Sequence, residues 1–417
     1  MRGHDTNVTT NGQAAVDGSE PTLLDLLRFG SQALLKQAIS DEITEYLGRG
    51  RYEHHDREPF RGYRNGKRRT TLDTPVGQVS YDRPLVAHAP DFQSRYHKAH
   101  MRRPEQFAES VADMYVHGVS TRRVKKALAA VAGKELRLSR STVSRITERL
   151  REEYRAWKRR DLSELKIAYL FIDAIRLGMR MQMARKEAVL IAYALLEDGT
   201  FETISIGLGN SESNEVWGKF VSDLKQRGLR DPLLGISDGN VGAIGALEAN
   251  FPTAYRQRCV RHKIENVLSS VPKEHHATVR EKLNAIFYGA TGLEQAKERA
   301  RSFKRQYGRV YPSAVRSLES DLDQALTFYL FPTAHWRRIR TSNHLERMNL
   351  EIRRRLSVVG RHPSEDGCLA LVYRITKQYA EGKHGFKVND LVTAMWTRLR
   401  DEKVAMLTQL VLELEAA

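Results

Sequence analysis

The sequence predicts an α/β fold with a mixed sheet, and the order of apolar segments in the middle of the chain indicates it. Two stretches rich in apolar, β-compatible residues, 166–181 and 187–209, predict three antiparallel strands, because Asp198-Gly199 in the second stretch is a strong hairpin signal. A short apolar run at 231–239 predicts a fourth strand. Helices are predicted on both sides of it, at 213–229 and 242–251. The order βββαβα therefore favours a mixed sheet.

Composition points to a soluble, basic protein of two or three domains. The 417 residues are 41% hydrophobic and 29% charged, and 68 Lys and Arg against 51 Asp and Glu give a net charge of +17. Such a surplus is typical of proteins that bind nucleic acid, with an anionic membrane surface as the alternative. No apolar run reaches the length that crosses a bilayer, and the first twenty residues lack a signal-peptide core. Two cysteines cannot form a disulfide framework, which fits a reducing cytoplasm.

The region before the predicted sheet contains two candidate DNA-binding elements. After a polar leader at 1–20, a pair of amphipathic helices is predicted from Thr22 to Leu47. Residues 49–69 then carry eight Lys or Arg, with aromatic residues between them, before a predicted hairpin at 71–86. A solvated basic loop is the alternative interpretation of this segment. Its candidate DNA-binding residues are Arg61, Tyr63, Arg64, Lys67 and Arg68.

A second candidate element resembles a helix-turn-helix. Gly118 interrupts one helical pattern, Ser120 can cap a second helix, and a third helix begins near Arg140 with Ser and Thr residues facing outward. Ordinary helical hairpins give the same pattern, so the signal is weak by itself. The candidate DNA-binding residues here are Arg122, Arg123, Arg140, Thr142 and Arg145.

Three acidic residues lie where a fold does not require them. Asp173 interrupts an apolar strand, where a carboxylate must be hydrogen-bonded, neutralised or bound to a cation. Asp238 follows the fourth strand, at the kind of strand end where α/β proteins place binding chemistry. Helix capping or turn formation is the ordinary role of an Asp before Gly. Glu346 shares a polar helix face with Asn349 and Arg353, although a surface salt bridge would also explain it.

The surroundings of Glu346 indicate a helix that faces phosphates. Eight Arg and only two acids lie between Trp336 and Arg361, and Arg354 and Arg355 are further DNA-binding candidates. Two strand acids and one helix acid can hold two Mg²⁺ ions about 3.5 to 4 Å apart, with Mn²⁺ able to substitute. This arrangement is suited to phosphodiester displacement.

The ordered motifs of the chain resemble those of a known family. GYRNG, STRRVKKAL, SRSTVSRI, YLFIDAI, ISDGNVGAIGALEANFP, QRCVRHKIENVL and RTSNHLERMNLEIRRR follow one another between about Gly62 and Val372. This succession resembles the Mutator-family transposases of bacterial insertion sequences. The resemblance implies an RNase H-like catalytic domain with an all-helical insertion, preceded by a mostly helical DNA-binding region with a small β module.

The resemblance also implies the chemistry and its residues. Asp173, Asp238 and Glu346 take the positions of a DDE triad, which cleaves DNA at terminal inverted repeats and transfers the 3′-OH strand into target DNA. Cys259 and His262 match a Cys-x-x-His element of the family and are expected to act as accessory residues. A zinc site completed by His275-His276 is the alternative for that pair, and His54-His55 more simply belong to a solvated loop.

The predicted organisation follows from these assignments. The expected domains are a disordered leader (1–20), helices with a basic β module (21–105), a helix-turn-helix-like domain (106–160), the first part of the catalytic core (161–258), a helical insertion (259–335), the second part of the core with the Glu helix (336–390) and a C-terminal helix (391–417). Expected partners are double-stranded DNA, as transposon ends and target, and further copies of the chain in a dimer or larger synaptic oligomer. The leucines that could pair copies are Leu399, Leu407, Leu410 and Leu414.

Two other functions remain open from the residues alone. One is a catalytically silent repressor or architectural protein derived from a transposase. The other is an RNase H-like nuclease or junction resolvase, which would cleave DNA without joining it. In each case the protein is expected in the bacterial cytoplasm, associated with the nucleoid and not with a membrane.

Overall fold

The computed structural model describes most of the chain as two compact units. The described residues are 22–53, 60–74, 77–98, 105–116, 124, 126, 140–176, 188–209, 213–359, 364–381 and 385–415. The first unit comprises Met1–Tyr115 and Val119–Ile146, and the second comprises Val116–Gly118 and Thr147–Ala417.

The first unit contains a long helix and a hairpin. Helix α1, Leu23–Leu47, begins with a capping box between Thr22 and Asp25 and ends at Gly48, whose φ of 66° is the left-handed conformation that favours glycine. Strands β1, Tyr63–Thr74, and β2, Gly77–Ala87, pair antiparallel, as the sequence predicted. The remaining helix described in this unit, α2, spans Glu105–Val116. The prediction of two helices at 22–47 was wrong.

A small core explains why α1 is continuous. Ile39, Ile43 and Leu47 recur on one helix face and are buried together with Leu72 of β1 and Tyr81 of β2. This shared apolar face stabilises the C-terminal half of α1 through tertiary packing. No proline interrupts the helix, so nothing forces a break between its halves.

The second unit is built on a five-stranded mixed sheet. Its strands are β3 (Ile167–Arg176), β4 (Ala188–Leu196), β5 (Phe201–Gly209), β6 (Leu234–Ser237) and β7 (Tyr255–Arg258), in the order β5-β4-β3-β6-β7. Strand β4 is antiparallel to its neighbours β3 and β5, as the sequence predicted. Strand β6 runs parallel to β3, and β7 runs parallel to β6. The predicted fourth strand is confirmed as β6, and β7 was not predicted.

The two faces of the sheet pack against different helices. Leu170 and Ile172 point to the face that packs on Trp217 and Leu224 of α4 (Asn214–Gln226) and on α5 (Val241–Asn250). Because side chains alternate along a strand, Tyr169, Phe171 and Asp173 point to the opposite face. On that face the Tyr169 hydroxyl hydrogen-bonds to His335 Nδ1 at 2.8 Å. Asp173 therefore lies on the face that the C-terminal helices cover.

The region between β7 and the C-terminal helices is helical, as predicted. Its α-helices are α6 (Val260–Leu268), α7 (His276–Phe287), α8 (Leu293–Tyr307), α9 (Pro312–Glu319), α10 (Leu322–Leu326) and α11 (Thr333–Ile339). Gln257 of β7 joins this region to the sheet: its side chain donates to the Ala325 carbonyl at 3.0 Å and accepts from the Phe328 amide at 2.7 Å. The helical region is thereby fixed to the edge strand.

Four further helices complete the unit. They are α3 (Arg140–Lys158), which spans the boundary between the two units, α12 (Asn343–Val359), α13 (Glu365–Glu381) and α14 (Asp390–Glu415). Leu399 of α14 is buried, whereas Leu410 and Leu414 are exposed, so the predicted leucine stripe does not form one surface. In the described part of the chain, no helix is long and apolar enough to cross a membrane.

Candidate active site

Asp173 and Asp238 lie side by side on adjacent parallel strands, at the point where β6 ends. Phe171 of β3 pairs with Ile236 of β6, so Asp173, within β3, and Asp238, the residue that follows β6, both lie two residues beyond this pair. Neighbouring strands are about 4.8 Å apart, so the two carboxylates reach the same edge of the sheet and the same face. The two aspartates that the sequence analysis grouped as metal ligands are therefore neighbours.

Asp173 is buried and held by two hydrogen bonds. Asn349 of α12 donates to Asp173 Oδ2 at 2.8 Å, and the Ala174 amide donates to Oδ1 at 2.9 Å. Burial, followed by the like charge of Asp238, raises the pKa of Asp173 to about 6. The buried Oδ1 of Asn349 has no hydrogen-bond partner among the described residues. Asp173 is thus a buried carboxylate whose charged form the folded protein disfavours.

Arg258 supplies a positive charge beside Asp238. A Cβ at residue 239 would overlap the Arg258 guanidinium, and Gly239 has a φ of 91°, so both space and conformation require glycine there. Asp321 of the helical region binds Arg258 Nε at 2.7 Å and also pairs with the buried Lys263. This cluster was not predicted, although Arg258 and Lys263 in the segment QRCVRHK were a signal for it.

Cys259 connects the edge strand to the start of α12. The Ser342 amide and hydroxyl donate to Cys259 Sγ at 3.5 and 3.4 Å, and Ser342 precedes Asn343, the first residue of the helix that carries Glu346. Burial raises the pKa of Cys259, but its hydrogen bond with His262 and the charge of His262 outweigh this effect, so the net shift is downward. No sequence pattern indicated this role of Ser342.

His262 completes this arrangement with a positive charge. The hydrogen bond to Cys259 raises the pKa of His262 to about 9, and the charges of Asp238 and Asp173 act in the same direction. His262 therefore lies near both acids as an imidazolium. The histidines of the alternative zinc site have other contacts, since His276 Nε2 lies 2.9 Å from the Val271 carbonyl oxygen and His275 lies beside Glu274. His54-His55 lie outside the described residues.

Glu346 reaches the same region but is engaged by an arginine. It lies one helical turn before Asn349, the residue that binds Asp173, and its carboxylate pairs with Arg261 of α6. Within the described ranges, no group of three or more His, Cys, Asp or Glu residues has a geometry that could hold a metal ion. Asp173 and Asp238 are thus neighbours, whereas the carboxylate of Glu346 is paired with Arg261.

Four of the five DNA-binding candidates between residues 61 and 68 are exposed. Arg61, Tyr63, Lys67 and Arg68 are exposed. Arg64 differs, because it is half-buried and its guanidinium donates to Thr44 of α1 at 2.7 Å. Arg64 therefore holds the hairpin against α1.

The other predicted DNA-binding residues have different environments. Arg353 is exposed, whereas Glu351 of the same helix pairs with Arg354 at 2.7 Å and with Arg355 at 2.6 Å, which reduces their charge available to DNA. Arg145 is exposed on α3. Arg122 and Arg123 lie outside the described residues, as do the side chains of Arg140 and Thr142.

These features define a basic α/β protein with paired carboxylates at the carboxyl edge of a mixed sheet. Residues 5–384 match the model of the transposase family described as "Transposase, Mutator family". The chain belongs to this family.

Curated relatives cover most of the chain. The chain is 33% identical over 368 residues to the transposase for insertion sequence element ISRM5 of Rhizobium meliloti, covering 87% of the chain and 90% of that relative. It is 35% identical over 262 residues to the transposase for IS6120 of Mycolicibacterium smegmatis, covering 63% and 80%. It is also 29% identical to the transposase for IS256 in transposon Tn4001 of Staphylococcus aureus, covering 81% and 86%.

Proposed function

We propose that this protein is the transposase of an insertion sequence and that Asp173, Asp238 and Glu346 are its catalytic carboxylates. The adjacency of Asp173 and Asp238 on two parallel strands is the single observation that carries the proposal. Family membership supports the reaction class, and the curated relatives are named as transposases of insertion sequences. Strand β4 alone runs opposite to the other four strands of the sheet, and this strand order supports an RNase H-like catalytic domain.

Mg²⁺ is the cofactor that the donor set favours. Asp173 and Asp238 would hold it, with Glu346 as the third ligand, since hard divalent cations prefer carboxylate oxygens. Two bound Mg²⁺ ions would supply positive charge to the attacking and leaving oxygens of a phosphodiester. The raised pKa of Asp173 supports this assignment, because nearby positive charge is what returns a buried carboxylate to its ionised form.

The residues around the acids position them for the reaction. Asn349 orients Asp173, and Arg258, held by Asp321, compensates the charge of Asp238. Cys259 fixes the start of α12 through Ser342, which sets where Glu346 can reach. Arg261 holds Glu346 in the DNA-free protein, and phosphates of bound DNA would compete for its guanidinium.

The proposed reaction has two steps at one centre. Water attacks the phosphodiester at the transposon end and releases a 3′-OH, which then attacks a phosphodiester of the target DNA. No covalent protein intermediate is required. The exposed cations at and just before β1, Arg61, Lys67 and Arg68, would bind duplex DNA through its phosphates. Two ends must be held together for joining, so a dimer or larger oligomer is expected on DNA.

Cleavage by triad variants tests the proposal. Asp173→Asn, Asp238→Asn and Glu346→Gln are each expected to abolish Mg²⁺-dependent cleavage of a plasmid that carries the element's ends, while end binding stays near the wild-type level. A matched control is Glu351→Gln on the same helix as Glu346, because Glu351 pairs with Arg354 and Arg355 instead of approaching the acids. Cleavage that survives in any of the three variants refutes that residue's assignment.

The Glu346–Arg261 ion pair is a reason to test one alternative function, that of a catalytically silent DNA-binding protein. A catalytically silent DNA-binding protein would retain such a pair permanently. Wild-type protein that binds the ends but never nicks the plasmid with Mg²⁺ or Mn²⁺ would support that alternative. Cleavage without any strand-transfer product would instead support a nuclease.

A further inference from the structure

An exposed aromatic side chain lies next to the candidate active site, at the margin of the helical region. Tyr288 follows α7 and is 40% exposed, whereas the other aromatic side chains described in the second unit are buried or half-buried. An accessible ring offers apolar surface that a ligand can cover. Among the described aromatic side chains of this unit, Tyr288 is therefore the one most accessible to a ligand.

One face of the Tyr288 ring is covered by an arginine. The guanidinium carbon of Arg340 lies 4.3 Å from the ring centroid, which is a close cation–π contact. Arg340 is itself anchored, because its carbonyl accepts from the Val260 amide at 2.9 Å and its amide donates to the Trp336 carbonyl at 3.1 Å. The backbone of Arg340 is thus held in place, and 40% of Tyr288 remains accessible.

This stack shares its supports with the candidate catalytic residues. Val260, which binds the Arg340 carbonyl, lies between Cys259 and Arg261, the residue that pairs with Glu346. Ser342, two residues after Arg340, donates to Cys259. The ring therefore lies on the same short scaffold that positions Glu346.

The charge around the ring suits a polyanion. Arg340 contacts the ring, and Arg261 and Arg280 lie near enough to act on the Tyr288 hydroxyl electrostatically. Arg280 is paired with Glu265 and Arg261 with Glu346, which leaves a net positive charge at this margin. An accessible aromatic ring with neighbouring arginines is the combination by which proteins bind unpaired bases, through stacking and phosphate contacts.

We propose that Tyr288, with Arg340 stacked on it, binds an unpaired nucleobase of a DNA strand beside the candidate active site. The identity of the ligand as DNA rests on the proposed function. The stacking itself requires no particular base, because every base has a π face. Tyr288 would hold a separated strand near the carboxylates during end processing.

Fluorescence of 2-aminopurine tests the proposal without requiring cleavage. The protein carries Asp173→Asn, and the probes are a blunt DNA duplex and the same duplex with a short single-stranded overhang that contains 2-aminopurine. Stacking on Tyr288 is expected to quench the probe and to tighten binding of the overhang substrate. Tyr288→Ala is expected to weaken overhang binding by about 5- to 150-fold, the range that base–aromatic stacking gives, with blunt-duplex binding unchanged.

Two control variants make the result specific. Tyr288→Phe keeps the ring and is expected to retain the quenching and the affinity. Val310→Ala removes another exposed apolar side chain of the helical region, 62% exposed, and is expected to change neither. The proposal is overturned if Tyr288→Ala binds the overhang and quenches 2-aminopurine as strongly as the protein with Tyr288 does. It is also overturned if Tyr288→Phe loses both the affinity and the quenching.

This experiment separates the two proposals. Loss of overhang binding in Tyr288→Ala, together with wild-type protein that never cleaves DNA, would retain the base-binding site and reject the catalytic assignment. Normal cleavage together with an unaffected Tyr288→Ala would do the reverse.

Discussion

The charge of Asp173 is expected to reduce the free energy of unfolding of the protein. Its side chain is 9% exposed and ionised beside the like charge of Asp238, so the folded state disfavours its charged form. Asp173→Asn removes the charge with little change of shape. The buried Asn349 Oδ1, which has no partner among the residues that the structure describes, would accept a hydrogen bond from the new amide after a flip of the Asn349 side chain. We therefore expect Asp173→Asn to stabilise the second unit.

The size and pH range of this effect follow from the pKa of Asp173. The pKa is raised from 3.8 to about 6, and a difference of about 2 units corresponds to about 3 kcal/mol. Between these two values the folded protein binds more protons than the unfolded chain, so the free energy of unfolding falls as pH rises. The full cost is present above about pH 6 and is absent below the unfolded pKa. Asp173→Asn should therefore gain about 3 kcal/mol at pH 8 and almost nothing near pH 4.

Urea denaturation at the two pH values measures this difference. Asp231→Asn is a matched control with the opposite sign, because the hydrogen bonds of Asp231 with Lys225 and Thr253 outweigh its burial and lower its pKa. It is expected to destabilise the protein at pH 8. Added Mg²⁺ should stabilise the wild type more than Asp173→Asn. The reasoning is refuted if Asp173→Asn is less stable than the wild type at pH 8, or if its effect is the same at both pH values.

Three further substitutions test other parts of the account. Gly239→Ala forces a Cβ into Arg258 at a φ of 91°, so we expect a loss of about 1 to 3 kcal/mol in urea denaturation together with reduced DNA cleavage; a stable, active variant would contradict the packing of Arg258. Cys259→Ala removes the acceptor for Ser342, and hydrogen exchange in the first turn of α12 should become faster while the rest of the helix is unchanged; equal exchange would show that the contact does not hold the helix. Trp217→Ala empties a fully buried site of the sheet core and should cost about 3 to 5 kcal/mol by denaturation, whereas a loss below about 1 kcal/mol would contradict that packing.

The sheet could be predicted where its strands are apolar or joined by a strong turn. Strands β3 to β5 follow from apolar runs and from Asp198-Gly199, whose Gly199 has a φ of 88°. Strand β7 was missed because YRQR is short and polar, so local sequence gives it no strand signal. Its structure depends on pairing with β6 and on the anchoring of Gln257 by the helical region, which are long-range contacts.

The candidate site could be predicted in part for a similar reason. Asp173 and Asp238 could be selected as candidates because one interrupts an apolar strand and the other follows one, but their proximity depends on the parallel pairing of β3 with β6, which local sequence does not show. The partner of Glu346 did not, because Arg261 lies on a different helix and many arginines were available. The Arg258–Asp321 pair could not be predicted either, since the sequence does not show which acid of the helical region contacts β7.

A structure of the protein with Mn²⁺ and a DNA end tests the central claim most directly. Anomalous scattering locates Mn²⁺ without ambiguity. We expect metal in contact with Asp173, Asp238 and Glu346 at about 2.1 Å, which is the distance of small divalent cations from carboxylate oxygens. We also expect Arg261 to have moved from Glu346 to a phosphate of the DNA. Metal absent from the two aspartates, or Glu346 still paired with Arg261 while DNA is bound for cleavage, would contradict it.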